Sequence, residues 1–324
     1  MNRTSWSALG AALLAFVAPA TFAQGDWPAK NIVWVVPFPA GGGTDVFARP
    51  LSAQLTKQLN RQIVIDNRGG AGGNLGATIA ARAAGDGYTF LVGAVHHTIA
   101  PSVYSKLDYS LEQDLLPITG VAYVPQVIVV NPKRIQATTV KELIALAQAQ
   151  PSKLIFASAG AGTAHHLAGE LFQQATKTQL LHVPYKGAGP AMTDLVGGQV
   201  DMMFDGLGTS ASQIKGGAIR ALAVAAPKRS PAIPDVPTTA EAGLPAFVMS
   251  TWYGLWAPKG TPPAIIDRMQ KEVAAALATK ELRDYWAAQG AAPGGEPVAE
   301  FTKFVRSETE RWAKIAKESG AKVD

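Results

Sequence analysis

Pro37-Phe38-Pro39-Ala40-Gly41-Gly42-Gly43-Thr44-Asp45 is the stretch on which the reading of this chain turns. An uninterrupted apolar run, Ile32-Val33-Trp34-Val35-Val36, precedes it, and Phe47, Leu51, Leu55 and Leu59 follow on a four-residue spacing. Apolar run, glycine loop and helical period predict a buried strand, a tight turn and an amphipathic helix. Three successive glycines let the backbone approach a guest closely and point its N–H groups inward. Thr44 or Asp45 is placed to cap the helix, whose N-terminus carries the positive end of the peptide dipole. The loop is therefore either a plain strand–helix connection or an anion site, most simply for a carboxylate.

Outward from that loop the unit recurs. Residues 62–66 form a second apolar run, followed by the glycine loop 69–74 and an alanine-rich helix to about residue 83. Residues 88–93 predict a third strand, ending at Val95-His96-His97-Thr98. A βαβαβ order implies a parallel sheet with right-handed crossovers, whose C-terminal strand ends face one crevice. Residues 115–120 read as irregular and 123–130 as a long strand, and Thr138 or Thr139 caps a helix running to Gln150. A second set follows: strand 153–157, glycine loop 158–163, helix 164–176, strand 180–184, loop 185–189, a helix from Pro190, strand 200–204 ending at Asp205, and strand 219–226. Residues 227–245 are proline-rich and aperiodic, 248–257 are extended and aromatic, and three helices close the chain. Two similar α/β sets, with helices left over after the second, predict a discontinuous first lobe, residues 24–124 plus 248–324, and a second lobe, 125–247. Two extended crossings, near residues 123–127 and 248–251, would join them as a hinge that closes on a ligand.

Residues 1–23 predict a secretory leader: Arg3 supplies the positive region, residues 8–18 are apolar, and Thr21-Phe22-Ala23 offers small residues for cleavage. Cleavage after Ala20 is the alternative. The chain has no cysteine, which excludes lipoprotein attachment, disulfides and thiolate metal sites. Arg3 is the leader's one charge, leaving 28 basic against 24 acidic residues, a mild +4 with no Lys/Arg block. That balance argues against nucleic acid as a partner and leaves a slight bias toward anionic ligands.

The segments 35–45, 67–74 and 86–91 resemble successive signatures of the Bug-type solute-binding proteins of tripartite tricarboxylate transporters. The likeness continues through His182-Val183-Pro184-Tyr185-Lys186-Gly187-Ala188-Gly189-Pro190, Gly198-Gln199-Val200-Asp201, Pro234-Asp235-Val236-Pro237-Thr238, Glu241-Ala242-Gly243-Leu244-Pro245 and Trp252-Tyr253-Gly254-Leu255. It spans essentially the whole mature chain in order. The resemblance implies a two-lobe type II periplasmic-binding fold, each lobe a mixed, mostly parallel sheet flanked by helices. It further implies a periplasmic receptor that takes a mono- or dicarboxylate into the cleft, with ordered water helping, and presents it to a membrane permease. By the same resemblance Phe38, Ala40, Gly41, Gly42, Thr44 and Asp45 in the first loop, Ser158, Ala159, Gly162 and Thr163 in the second-lobe loop, and Asp205 are pocket positions. His96-His97 departs from the family's usual small or hydroxyl-bearing residue followed by a single histidine.

Each candidate has a structural role to weigh against a binding role. Ser158 and Thr163 are carboxylate donors that could equally cap the helix from Ala164; we expect Ser158 to meet the ligand and Thr163 to cap. Either His96 or His97 partners the ligand's far end, or both pair with backbone. Adjacent His165 and His166 point apart and cannot chelate as an i, i+4 pair would; we expect His166 to face the cleft and its neighbour to pack. Asp45 fits a first-turn charge better than a ligand contact. Tyr185-Lys186 places a ring and a cation near the cleft, and Phe38 is set to cover an alkyl or aromatic ligand.

An enzyme is the rival class. Asp205, His97 and Ser158 suggest a triad, but no Gly-x-Ser-x-Gly elbow exists, and Gly41-Gly42-Gly43-Thr44 lacks the lysine of a phosphate loop. With no cofactor fingerprint and no chelating histidines, the expectation is no catalytic set, no metal and no cofactor. A third class, a periplasmic sensor handing its ligand state to a kinase, stays open. The sequence thus predicts a monomeric receptor closing on a carboxylate, weakened by removing Ser158 or by Gly42→Val.

Overall fold

Residues 27–319 and 321–323 are described by a computed structural model, so the expected leader lies outside them. The first set is β1 (Ile32–Val36), α1 (Gly43–Leu59), β2 (Ile63–Asn67), a 3-10 turn at Ala71–Gly73, α2 (Asn74–Ala81) and β3 (Thr89–Ala94). β1 pairs in parallel with β2 on one side and β3 on the other. Ile32, Trp34 and Val36 enter one core cluster and Val35 another. Burial on both faces is why this strand reads as a continuous apolar run rather than an alternation. On α1, Phe47, Leu51 and Leu55 are fully buried, which is the four-residue spacing seen as one helix face.

Two expectations fail in the next stretch. His96 and His97 do not end a strand but open a helix, α3 (His96–Val103). After α4 (Leu111–Asp114), the segment expected to be irregular is the start of a 16-residue strand, β4 (Leu115–Val130). Pro117 and Gly120 hid it: they break the apolar run, and the pairing with the neighbouring strand slips at both places, between Pro117 and Thr119 and between Gly120 and Ala122.

The second set is α5 (Val140–Ala149), β5 (Ile155–Ser158), α6 (Ala164–Thr176), β6 (Leu181–Pro184), α7 (Ala188–Gly197), β7 (Met202–Gly206), α8 (Leu207–Lys215) and β8 (Arg220–Val224). Thr139 caps α5 in a full capping box with Glu142. β5 pairs in parallel with β6 and β7, repeating the layout of the first set. β9 (Ser250–Pro258) then returns to the first sheet, followed by α9 (Pro263–Leu277), α10 (Lys280–Ala288), the two-residue β10 (Ala292–Pro293) and α11 (Val298–Ser319). β9 runs antiparallel to β3 and to the first part of β4.

β4 changes partners along its length. It pairs with β9 as far as Pro125, and with β7 from Gln126 and β8 from Val127. The same strand therefore belongs to both halves of a mixed sheet. Parallel strands β1, β3, β5 and β6 end near this changeover, each followed by a helix, so four helix N-termini converge there. α11 is pinned by Glu308, a buried carboxylate that accepts the indole N–H of Trp252 at 2.8 Å and of Trp312 at 3.1 Å. No helix among the described residues is long and apolar enough to cross a membrane.

Candidate functional site

Where the two halves meet, a small cavity of about 30 Å³ is lined by the first turns of four helices. α1 contributes Gly43 and Thr44, α3 contributes Val95 and His96, α6 contributes Thr163, Ala164 and His165, and α7 contributes Ala188. Phe38 and Ala159 complete the wall from the preceding loops, with Thr251 and Tyr253 from β9. None of the four helices has a side-chain N-cap. Their first-turn N–H groups are thus not taken up by capping side chains, and each helix brings the positive end of its dipole. No lysine or arginine lines the cavity.

The glycine loop is built to bring backbone to backbone. A Cβ on Gly43 would lie 2.0 Å from the Tyr253 hydroxyl oxygen, so that position admits only glycine without rearrangement. A Cβ on Gly189 would lie 3.2 Å from the Ala40 carbonyl oxygen, so the first loop meets the loop before α7 directly. Asp45 braces the loop from behind: its Oδ2 accepts from the Gly41 N–H at 2.9 Å and from Arg49 Nε at 2.7 Å, and its Oδ1 accepts from Asn67 Nδ2 at 3.0 Å. The N-cap of α1 is Gly42, so neither Thr44 nor Asp45 caps it; both sit inside the first turn.

The other predicted residues fall in distinct places. Phe38, Thr44, His96, Ala159 and Thr163 are brought together on the cavity wall. Thr163 holds the N-cap position of α6, but its hydroxyl donates to the Gly160 carbonyl at 2.7 Å instead of capping. Ser158 is fully buried beneath its loop, where its hydroxyl pairs with His182 Nε2 at 2.7 Å and accepts from the Gly160 N–H at 3.1 Å. Gly162 donates its N–H to His166 Nδ1 at 3.2 Å. Ala40 and Gly41 line a separate groove with Gly189, Thr193 and Tyr285. Tyr185 lines a third groove with Lys186, Tyr104 and Gly72, and its hydroxyl donates to Asp194 at 2.7 Å. Phe38 and Ala159 line that groove as well as the cavity, so they form the partition between the two.

The histidine expectations are partly reversed. His165, not His166, faces the cavity. Successive residues of a helix point about 100° apart, and His166 is turned to stack on His182, with ring centroids 4.2 Å apart. His165 Nε2 lies 3.7 Å from Asp205 Oδ1. Asp205 is fully buried behind it, with Oδ2 accepting from the hydroxyls of Thr209 and Ser210. Of the first pair, His96 reaches the wall, edge-on to Phe38, whereas His97 lies behind it against Ala94. Burial pushes every one of these rings below the ordinary histidine value, with His97 and His182 down to about 4. Repulsion from His97 and His165 adds to the effect at His96, and Asp205 partly opposes it at His165. The cavity is therefore uncharged at neutral pH but lined by oriented dipoles. Ser158, His97 and Asp205 each face a different partner, so the structure does not assemble them into a triad.

Sequence reasoning did not single out Gly43, Ala188, Thr251 or Tyr253, nor His182 as the brace of Ser158. Tyr253 and Ala188 stood inside quoted motifs, but nothing local marked them as wall residues; only the antiparallel return of β9 brings Tyr253 against Gly43.

Comparison with known proteins places the chain in a family. A sequence model of the tripartite tricarboxylate transporter family receptor, TctC, matches residues 47–321. Protein BugT of Bordetella pertussis is 39% identical over 326 residues, covering all of both chains. A structure of an R. palustris protein with adipate is 36% identical, with a TM-score of 0.89, and covers 92% of this chain and 100% of that one. MatC from Rhodopseudomonas palustris with bound malate is 34% identical, with a TM-score of 0.85, covering 89% and 99%.

Proposed function

Because this chain belongs to the TctC receptor family of tripartite tricarboxylate transporters, we propose that it is a periplasmic solute receptor that binds a small mono- or dicarboxylate in the four-helix cavity. The observation that carries this reading is the convergence of four helix N-termini without side-chain caps on a space with no cation. Such a site favours an anion through backbone N–H groups and dipoles. Each charge-assisted hydrogen bond contributes roughly 1.5–3 kcal/mol, so a few of them reach the ~8 kcal/mol of micromolar affinity after ordering costs. The adipate and malate bound by two relatives are ligands of this class. The cavity is small enough that one carboxylate fills its inner end, and a longer chain passes Phe38 toward the groove of Tyr185 and Lys186.

Closure follows from β4. The lobes are residues 24–124 plus 248–324 and residues 125–247, and they bend where β4 exchanges β9 for β7. The closed receptor then presents its ligand to a permease of the tripartite tricarboxylate type. Thermal-shift screening of the purified protein against mono-, di- and tricarboxylates and amino acids tests the reading. A ligand at 100 times its dissociation constant adds about 2.7 kcal/mol of stability, and a panel in which no carboxylate raises the midpoint refutes it. Copurification with a sensor kinase in place of a permease would refute the delivery step alone.

A further inference from the structure

Backbone N–H groups are not the whole of the cavity wall. Three hydroxyl side chains line it as well: Thr44 from the first turn of α1, and Thr251 and Tyr253 from β9. Strand residues two apart share a face, so Thr251 and Tyr253 both reach the cavity, while Trp252 between them packs into the opposite core. The Tyr253 ring is fixed against Phe47, with centroids 5.3 Å apart. Its hydroxyl lies directly over the start of α1: a Cβ added to Gly43 would be 2.0 Å from the oxygen. The phenol therefore stands beside the N–H groups that begin that helix, where they would meet an anion.

The phenol proton is available to a guest. Burial raises the pKa of Tyr253, and Asp205 adds to the rise, so the group stays neutral at pH 7. Asp205 nevertheless takes no hydrogen bond from it: Oδ2 is filled by Thr209 and Ser210, and Oδ1 has no partner. Thr251 acts on the phenol oxygen as a donor, which leaves the O–H of Tyr253 to point elsewhere. The Thr44 hydroxyl makes no hydrogen bond to another described residue, and none of the three oxygens is among the buried atoms sealed off without a partner. Two hydroxyl donors thus stand at the first turn of α1, facing the open space.

We propose that Tyr253 and Thr44 are ligand-binding residues whose hydroxyls donate to the buried carboxylate of the ligand, beside the N–H groups of α1. This rests on the carboxylate reading above. It goes beyond it in adding side-chain donors to a clamp otherwise built of backbone, and in making Thr251 the residue that turns the phenol.

Isothermal calorimetry on the full mature chain at pH 7.5, with propionate, succinate, malate and adipate as probes, compares wild type with Tyr253→Phe and Thr44→Val. Each substitution removes a hydroxyl and keeps the bulk of the side chain. Tyr253→Phe should weaken every acid that the wild type binds by about tenfold or more, the loss expected for one charge-assisted hydrogen bond, and Thr44→Val repeats the test from a different element. The thermal midpoint of each ligand-free variant should stay close to that of the wild type. A role in packing alone would instead lower that midpoint and leave the affinity of the folded protein unchanged. Thr251→Val gives a second reading: it should weaken binding in the wild type and add nothing in Tyr253→Phe. Unchanged affinity in Tyr253→Phe or in Thr44→Val overturns the assignment of that residue while leaving the carboxylate reading intact. Silence of every acid against the wild type overturns both.

Discussion

Acidification of the ligand-free protein should unfold it through its cavity wall. All five histidines of the chain, His96, His97, His165, His166 and His182, stand in or just behind that wall, and burial lowers the pKa of each. His97 gives the cleanest magnitude because it is fully buried, packed against His96, Tyr109 and Trp256, and titrates at about 4. In the unfolded chain a histidine takes up its proton near pH 6.5. Between pH 6.5 and 4 the unfolded state therefore binds more protons than the folded one, and stability rises with pH across that window. The contribution is fully present above pH 6.5 and is lost as pH falls toward 4. At pH 5 the shortfall is about 1.5 pH units, or about 2 kcal/mol from His97 alone at ~1.36 kcal/mol per unit.

Guanidinium unfolding at pH 7.5, 6.5, 5.5 and 5.0 measures this, with His97→Asn beside the wild type. The variant loses the titrating group, and its amide can still meet the backbone of Ala94, where His97 Nδ1 now sits. Its absolute stability is not the readout; the slope against pH is. The wild type should lose about 2 kcal/mol more than the variant between pH 7.5 and 5.0. Carboxylates and the three histidines that His97 does not touch are common to both proteins and cancel, while His96, freed of the repulsion from His97, titrates higher in the variant. Parallel curves would refute the reasoning, because they would mean that His97 accepts a proton inside the fold as readily as outside it.

Three further outcomes test the architecture. Gly43→Ala forces its Cβ against Tyr253 and should cost about 1–3 kcal/mol by overpacking, seen as a lower thermal midpoint that Tyr253→Phe in the same chain partly restores. Asp45→Ala strips the acceptor from the Gly41 N–H, Arg49 and Asn67 and should cost about 1–3 kcal/mol; calorimetry should also show weaker carboxylate binding, although Asp45 does not line the cavity. Glu308→Ala leaves two buried indole N–H groups unpaired and should cost about 2–4 kcal/mol in guanidinium unfolding, with a small loss meaning that α11 is held by apolar packing alone.

Most of the fold was legible because it rests on local signals. The period-four spacing of Phe47, Leu51 and Leu55, the capping box at Thr139 and the prolines at 262–263 each announce an element within a dozen residues. What was missed depends on partners far along the chain. β4 looks broken at Pro117 and Gly120, and it is a strand there because β9, some 135 residues later, absorbs both irregularities. The site divides in the same way. Phe38, Thr44, His96, Ala159 and Thr163 sit at the ends of locally readable units and reach the wall. Ser158 and His166 also sit there, but His182 from β6 claims both, one by hydrogen bond and one by stacking. Nothing in the sequence near Ser158 announces that competitor. The choice between His165 and His166 turned on a rotation of one residue, which an unaided helical period cannot fix when the helix start is uncertain by one position.

A buried carboxylate close behind a carboxylate site needs a reason, and the geometry around Asp205 gives one. A lysine or arginine in the wall would hold an anion more strongly, but it would have to be desolvated each time the cleft closed, and a buried charge left without a partner is costly. Helix N-termini avoid this, since their N–H groups are fixed parts of the backbone and carry no ion to strip of water. Behind that wall nevertheless stands Asp205, a carboxylate that would oppose any anion exposed to it. Two hydroxyls quench its Oδ2, and His165 stands between its Oδ1 and the cavity. The imidazole thus stands between the ligand and the carboxylate. On this account His165→Ala exposes the ligand to Asp205, and dicarboxylates should suffer more than monocarboxylates. Adding Asp205→Asn to His165→Ala should restore affinity, because the double variant lacks the charge, and a double variant as weak as the single one in calorimetry would refute the shielding.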